Sequence, residues 1–242
     1  MRAEARHQLK QDRFSKVTIE AAERTANWTV EHQSKVVAAV IAVVVIGAIA
    51  FGGWYYVSQQ DEKASFELST AVRTFETPVR PAGVPAQPGF DSFASSQERA
   101  TLARKQFQEI VDKYPHTHTA DMARYFVGLA SAQLNDNAAA ERNLREAADS
   151  ANANLAALGK FALASVYRAE NKDTQAIDLY KQLIDKPTVV VSKATAQLEL
   201  AGYYESQKKP DEAKKIYDQV VKENPSTEAA SLAQRREAAL KK

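Results

Sequence analysis

The chain has no cysteine, and glycine and proline are scarce, with eight of each among 242 residues. The lack of cysteine excludes a disulfide framework, a thiolate zinc site, a cysteine nucleophile and a lipid-modified N-terminal cysteine. Four of the eight prolines lie within residues 78–88, so the rest of the chain has few residues that interrupt helices. With 26% charged residues, this composition indicates a helical protein.

The sequence also lacks an excess of charge over most of its length. Residues 1–35 hold seven Lys or Arg and five Asp or Glu, which accounts for the net charge of +2, whereas residues 36–242 hold 25 of each sign. A balanced surface has no net field to attract nucleic acid. The motifs H-E-x-x-H and G-x-S-x-G and a phosphate-binding glycine loop are missing as well. His116 and His118 have no obvious carboxylate partner at ligand spacing, so we expect no metal, no cofactor and no enzyme activity.

Residues 36–57 form a long apolar run without a charged residue. As a helix they span about 33 Å, which matches a hydrocarbon core of about 30 Å. The run ends in Trp54, Tyr55 and Tyr56, whose amphipathic rings suit the headgroup level. We therefore predict a single transmembrane signal anchor at 36–57, preceded by a cytoplasmic juxtamembrane segment at 1–35.

The distribution of Lys and Arg predicts the direction of this anchor. Seven of them precede the run, and two, Lys63 and Arg73, lie in the twenty or so residues after it. This asymmetry favours a cytoplasmic N-terminus and an outward C-terminal domain. The alternative is a cleaved signal peptide, because Ala48-Ile49-Ala50 resembles a cleavage site. The long polar leader, and the apolar residues that continue past Ala50, favour the anchor.

The leader itself places five apolar residues at spacings compatible with one helical face. They are Leu9, Phe14, Val17, Ala21 and Trp28. The leader is interpreted either as an amphipathic helix that lies on the inner membrane surface or docks a partner, or as a solvated helix.

A small residue followed twelve positions later by alanine recurs three times, about 36 residues apart. The pairs are Gly128 and Ala140, Ala164 and Ala176, and Ala201 and Ala213. Such a period is typical of stacked helical hairpins, in which the small residue lets the second helix approach the first. The pattern predicts an α-solenoid.

The hairpins match the tetratricopeptide pattern residue by residue. The third copy contains Leu163-Ala164-x-x-Tyr167 and Ala176-x-x-x-Tyr180-x-x-Leu183, and the fourth contains Leu200-Ala201-x-x-Tyr204 and Ala213-x-x-x-Tyr217. In the second copy Ser131 replaces the aromatic residue and the closing proline is missing. The first copy is recognisable by its second helix alone, where Ala103, Phe107, Ile110 and Pro115 keep the spacing.

The first helix of the first repeat is displaced, and we predict it at residues 61–77, continuing from the anchor. Residues 78–96 are then a Pro-rich insert with an irregular loop conformation, which either covers the groove, binds a ligand or is a tolerated surface insertion. A final helix, from Ser226 to Leu240, is predicted to cap the array. The expected fold is all-α: a transmembrane helix, then a domain at 58–242 with about four hairpins and a capping helix.

With these features the chain resembles bacterial inner-membrane proteins that have one signal anchor and a periplasmic tetratricopeptide-like domain, typified by the ancillary subunit of the Sec translocon. The resemblance rests on the repeats, the apolar span, the leader's His7-x-Leu9-Lys10-x-Asp12-x-Phe14, and Pro225-Ser226 with Ala229-Ala230. It implies a scaffold near the translocon that links exported chains to periplasmic chaperones. The Pro-rich insert departs from the compact pattern of this family.

The resemblance also implies a peptide groove along the first helices of the repeats. Its residues here are Tyr125, Leu129, Phe161, Ser165, Arg168, Leu198, Gly202 and Glu205. Tyr125, Phe161 and Leu198 form an apolar column suited to the side chains of a peptide, or else pack against neighbouring hairpins or the final helix. Two further hypotheses remain open: a cell-envelope scaffold in division or outer-membrane assembly, and a peptide-binding chaperone.

Overall fold

The structure of the protein, a computed structural model, describes residues 32–240, and over that range it is helical apart from its connections. The helices are α1 (Gln33–Glu76), α2 (Ser96–Lys113), α3 (His118–Gln133), α4 (Asn137–Ala148), α5 (Ala153–Ala169), α6 (Asp173–Asp185), α7 (Lys193–Ser206), α8 (Pro210–Glu223) and α9 (Glu228–Ala239). The chain divides into two units, Met1–Tyr56 and Val57–Lys242. In the second unit each helix from α2 onward packs against the next, which confirms the predicted all-α solenoid.

The apolar run lies within α1, which begins at Gln33. Residues 37–56 are all exposed, so this stretch buries none of its side chains within the described chain. Among the described helices α1 is the one long and apolar enough to cross a membrane. The predicted span at 36–57 falls inside it. The predicted amphipathic leader concerns residues 2–35, of which residues 2–31 lie outside the described part of the chain.

The first hairpin pairs the C-terminal part of α1 with α2, as predicted for the displaced first helix. Ala64 and Ala71 are seven residues apart on one face of α1, and both are buried in the cluster that contains Phe107 and Ile110 of α2. Phe75 contacts Phe107 edge to face, with ring centroids 6.0 Å apart. Small residues on α1 and large ones on α2 therefore build the first core cluster.

The insert is a loop whose two ends are held together. The Phe93 backbone nitrogen donates to the Pro78 oxygen and the Arg80 nitrogen to the Phe93 oxygen, both at 3.0 Å. The Arg80 guanidinium also donates to the Ser92 oxygen at 3.0 Å. Residues 81–91 between these bonds are exposed, as expected for a closed surface loop. The chain is thus irregular from Pro78 to Ser95, and Ser96 already belongs to α2.

Close helix contact occurs where the small-residue pairs predicted it. A Cβ atom added to Gly128 would lie 2.5 Å from Leu144 Cγ, so α3 and α4 touch at a position that excludes any side chain. The alanines at the other paired positions are completely buried, namely Ala140, Ala164, Ala176, Ala201 and Ala213. Helix packing inside each hairpin therefore depends on these residues.

The turn inside each complete hairpin uses a left-handed residue. Asn135, Asn171 and Lys208 have φ angles of 60°, 57° and 56°, and each lies two residues before its second helix begins. Asparagine tolerates this conformation well, whereas lysine adopts it at a cost of about 1–2 kcal/mol. The repeated turn gives successive hairpins the same local geometry.

The array ends with α9, which confirms the predicted capping helix. Thr227 caps its N-terminus by accepting a hydrogen bond from the Ala230 nitrogen at 3.2 Å. Ala233 is buried in the cluster that contains Ala213, Tyr217 and Val220 of α8. Pro210 begins α8, as its sequence position predicts.

Candidate protein-interaction surface

The predicted groove residues lie on the first helices of three hairpins, α3, α5 and α7. Within each helix they are three, four or seven residues apart, which places them on one face. The three members of the apolar column pack on three different core clusters. The groove positions therefore differ in how far they are open to a partner.

On α3, Tyr125 and Leu129 are half-buried and pack against the cluster that holds Leu144, Leu163 and Tyr167. The Tyr125 ring lies edge to face on its neighbour Phe126, with centroids 5.3 Å apart. Burial raises the pKa of the Tyr125 hydroxyl above its ordinary value. The two residues present a partly accessible apolar surface.

On α5, the three predicted residues differ in exposure. Phe161 is half-buried, edge to face on Tyr180 with centroids 6.2 Å apart. Ser165 is exposed, and its hydroxyl donates to the Phe161 carbonyl at 3.4 Å. Arg168 is held by neighbours: Nη1 donates to Glu199 Oε2 at 3.1 Å, and the guanidinium lies 5.1 Å from the Tyr203 ring centroid. The Arg168 charge is thus already paired within the protein.

On α7, the predicted groove residues lie beside the capping helix. Leu198 is only 9% exposed and belongs to the same cluster as Ala233 of α9. A Cβ atom at Gly202 would lie 2.9 Å from Arg236 Nη1. Burial is the main reason that the pKa of Tyr217, in the same cluster, is raised above its ordinary value. Gly202 and Glu205 are half-buried and Leu198 is buried, so the accessible apolar part of the predicted groove is on α3 and α5.

A polar cluster that the sequence analysis missed joins the second and third repeats around Glu141 of α4. The Tyr167 hydroxyl donates to Glu141 Oε1 at 3.2 Å, and Lys172 Nζ donates to Glu141 Oε2 at 2.7 Å. Arg145 donates both to Glu141 and, at 2.7 Å, to the Tyr167 hydroxyl. The bond from Lys172 is the main reason that the pKa of Glu141 is lowered. Glu141 and Arg145 are four residues apart on α4, but no sequence spacing indicates the contacts of Glu141 with Tyr167 and Lys172, which lie on α5 and in the turn after it.

A second missed contact ties the third repeat to the fourth. The Tyr203 hydroxyl donates to Asp173, the first residue of α6. Burial, and then this hydrogen bond, raise the pKa of Tyr203 to about 12. Tyrosines of α5 and α7 thus anchor consecutive hairpins by reaching back to the preceding second helix.

The imidazoles noted in the sequence lie apart from these clusters. His116 is in the turn after α2, whereas His118 is the first residue of α3 and so begins the helix rather than the turn. Within residues 32–240 no group of three histidine, aspartate or glutamate side chains lies close enough together to hold a metal ion.

Two family models match the chain. The first, described as a tetratricopeptide repeat-like domain, covers residues 26–187. The chain belongs to this family. The second model, described as a tetratricopeptide repeat, matches residues 195–227, which include α8 and nearly all of α7. No curated protein matches the chain significantly.

Membership of the tetratricopeptide repeat-like family agrees with the geometry described above. Its domains are generally modules that bind proteins or peptides and have no catalytic role. The repeats of this protein therefore form a scaffold for protein–protein interaction.

Proposed function

We propose that this protein is a membrane-tethered scaffold ancillary to the Sec translocon, which links exported chains to periplasmic chaperones. The observation that carries the proposal is the combination, in one chain, of an exposed apolar helical stretch at 37–56 with a tetratricopeptide repeat-like domain. The stretch supplies the tether and the repeats supply the binding surface. The link to the translocon rests on the resemblance of the leader, span and repeats to that group of bacterial proteins.

The proposal includes a topology in the bacterial inner membrane. The excess of Lys and Arg before residue 36 supports a cytoplasmic N-terminus and a periplasmic domain. Because the chain has no cysteine, single cysteines report this topology without background. In intact spheroplasts, a membrane-impermeant maleimide is expected to label a Lys181→Cys variant and to leave a Ser15→Cys variant unlabelled until lysis. The reverse pattern would contradict the topology.

Partner identity is tested by crosslinking the full-length protein in native membranes, followed by affinity purification and intact-mass analysis. Recovery of the Sec channel together with an uncleaved N-terminus is the expected result. If division or outer-membrane assembly proteins are recovered and the channel is absent, the protein is instead a cell-envelope scaffold. A mass that begins at Phe51 would overturn the anchor.

Peptide binding, the third hypothesis, is supported by the half-buried Tyr125 and Phe161 on neighbouring first helices. Ser165 is exposed one turn from Phe161, so Ser165→Glu adds a charge to this face without removing a core contact. We expect Ser165→Glu to weaken capture of an unfolded exported chain. Lys181→Glu, at an exposed site on the second helix α6, is the matched control. Equal capture by both variants would remove the groove from the proposal.

A further inference from the structure

Corresponding positions of the second and third repeats differ at one buried residue. Gly128 corresponds to Ala164, so Ser131 corresponds to Tyr167, 36 residues later. Tyr167 fills the space between its own helix and the preceding second helix, α4, and its hydroxyl is bonded there to Arg145 and Glu141. Serine is too short to fill the equivalent space beside α2.

The residues around that space correspond in position to those around Tyr167, but their charges and functional groups differ. Ala103 of α2 corresponds to Ala140 of α4, so Arg104 stands in the place of Glu141, and Gln108 in the place of Arg145. Asp136 likewise corresponds to Lys172. Arg104 Nη1 lies 3.1 Å from Asp136 Oδ2, just as Lys172 Nζ lies 2.7 Å from Glu141 Oε2. The same ion pair is present in both repeats, with its signs reversed.

The place of the missing aromatic ring is an open cavity of about 540 Å³. Its walls include Arg104, Gln108 and Asp136, and Val127 and Ser131 lie at its floor. Ser131 is completely buried, and its hydroxyl has no hydrogen-bond partner among the described residues. A buried hydroxyl without a partner is costly, and it shows that Ser131 does not replace the hydrogen bonds that Tyr167 makes one repeat later. The volume falls in the range of ligand pockets, about 300–1,000 Å³.

We propose that this cavity binds a tyrosine side chain of a protein partner, which takes the place that Tyr167 occupies one repeat later. The ring lies against Val127 and the Arg104 guanidinium, which favours an aromatic face. Gln108, in the wall of the cavity, is the hydrogen-bonding partner of the phenol hydroxyl. Arg145 has this role for the hydroxyl of Tyr167.

The charges around the cavity favour a neutral guest. The basic side chains Arg104, Lys105 and Arg142 are matched by the acidic side chains Glu109, Asp112 and Asp136. A charged guest would meet like charge as well as opposite charge, whereas a phenol both donates and accepts hydrogen bonds. A phenylalanine side chain would bring the ring without the hydroxyl and would make no hydrogen bond to the polar walls.

This site is distinct from the groove on α3 and α5, because its walls come mainly from the second helices α2 and α4. The proposal rests on the proposed function only in taking the partner to be a protein, and it holds for a translocon subunit, a chaperone or an exported chain alike. A small probe tests the cavity without any of these partners. Failure of the translocon proposal and failure of the cavity proposal are therefore separate results.

The test uses full-length protein in lipid nanodiscs, with N-acetyl-tyrosinamide and N-acetyl-phenylalaninamide as probes and empty nanodiscs as background. Binding is measured by saturation-transfer NMR titration. We expect the tyrosine probe to bind more tightly than the phenylalanine probe. Ser131→Tyr puts the protein's own ring into the cavity and is expected to abolish binding of both probes while the unfolding temperature stays the same or rises.

Gln108→Ala provides a second variant at a half-buried site that does not enter the core. It is expected to weaken binding of the tyrosine probe about two- to tenfold and to leave the phenylalanine probe unchanged, because it removes one hydrogen bond. Unchanged probe binding in Ser131→Tyr would overturn the proposal, as would equal binding of the two probes by the wild-type protein. A Ser131→Tyr variant that is destabilised would also overturn it, since the cavity would then not accept a phenol.

Discussion

The contact between Gly159 of α5 and the end of α4 gives the sharpest test of the packing argument. A Cβ atom at Gly159 would lie 2.5 Å from the Ala148 nitrogen and 2.7 Å from the Ala147 carbonyl carbon. Both are backbone atoms that move only with their helix, and normal contacts between heavy atoms are about 3.5–4.0 Å. Gly159→Ala therefore forces α4 and α5 apart, although it adds a single methyl group.

The expected magnitude is the difference of two effects. Overpacking of this kind costs about 1–3 kcal/mol, toward the upper end here because backbone atoms are involved. The better helix propensity of alanine returns about 1 kcal/mol. We expect a net loss of about 2 kcal/mol in the free energy of unfolding. For a unit of this size, the loss lowers the unfolding temperature by about 4–8 °C.

Gly202→Ala is the matched control, since Gly202 is also in a helix interior. Its added Cβ would meet only Arg236 Nη1, at 2.9 Å, which is the far end of a flexible side chain. We expect this variant to be unchanged, or stabilised by up to about 1 kcal/mol. Circular dichroism at rising temperature, on full-length protein in detergent micelles, measures both variants. If Gly159→Ala is as stable as the wild type, or both variants lose equally, the close approach of α4 and α5 is not what the structure describes.

Three further predictions concern other parts of the repeats. Leu144→Ala removes a completely buried side chain that packs below Gly128, and we expect it to lower the free energy of unfolding by about 2–5 kcal/mol. Leu102→Ala, at an exposed site, should change it by less than about 0.5 kcal/mol, and chemical unfolding measures both. Lys208→Asn relieves a left-handed lysine and should stabilise the fourth hairpin by about 0.5–1 kcal/mol; a loss of stability would contradict the strain. Glu141→Gln should destabilise by about 1 kcal/mol near neutral pH. Folding lowers the pKa of Glu141 from 4.5, so the carboxylate stabilises the folded protein above that pH and this stabilisation is lost as the pH falls through the pKa of the folded state. The acid unfolding curves of the wild type and of Glu141→Gln should therefore converge at low pH.

The parts of the fold that were predicted correctly depend on local rules. Gly128 and Ala140 identify one hairpin because close helix contact needs small residues at fixed spacing, and Pro210 identifies a helix start because its ring suits the first turn. The displaced first helix was recognised for the same reason, since Ala103 and Phe107 of α2 required a partner. These contacts all lie within one hairpin, where sequence separation determines distance.

The contacts that were missed join one hairpin to the next. Gly159 against Ala148, and Glu141 between Lys172 and Tyr167, depend on the angle at which consecutive hairpins stack, and no single spacing encodes that angle. For Leu198 the sequence left two interpretations open, a groove position or a contact with the final helix. Leu198 shares a cluster with Ala233 of α9, because the last hairpin has an apolar end that needs a cover.

The reversed ion pairs carry a consequence for folding fidelity. Because the repeats are similar, a helix that stacks on the wrong neighbour still brings its small residues into contact. If α2 docked against the turn of the third repeat, Arg104 would face Lys172, and if α4 docked against the turn of the second, Glu141 would face Asp136. Both errors bring like charges together, whereas the native order pairs opposite ones. The reversed signs of these two ion pairs thus disfavour an exchange of neighbours between the first and second junctions of the array.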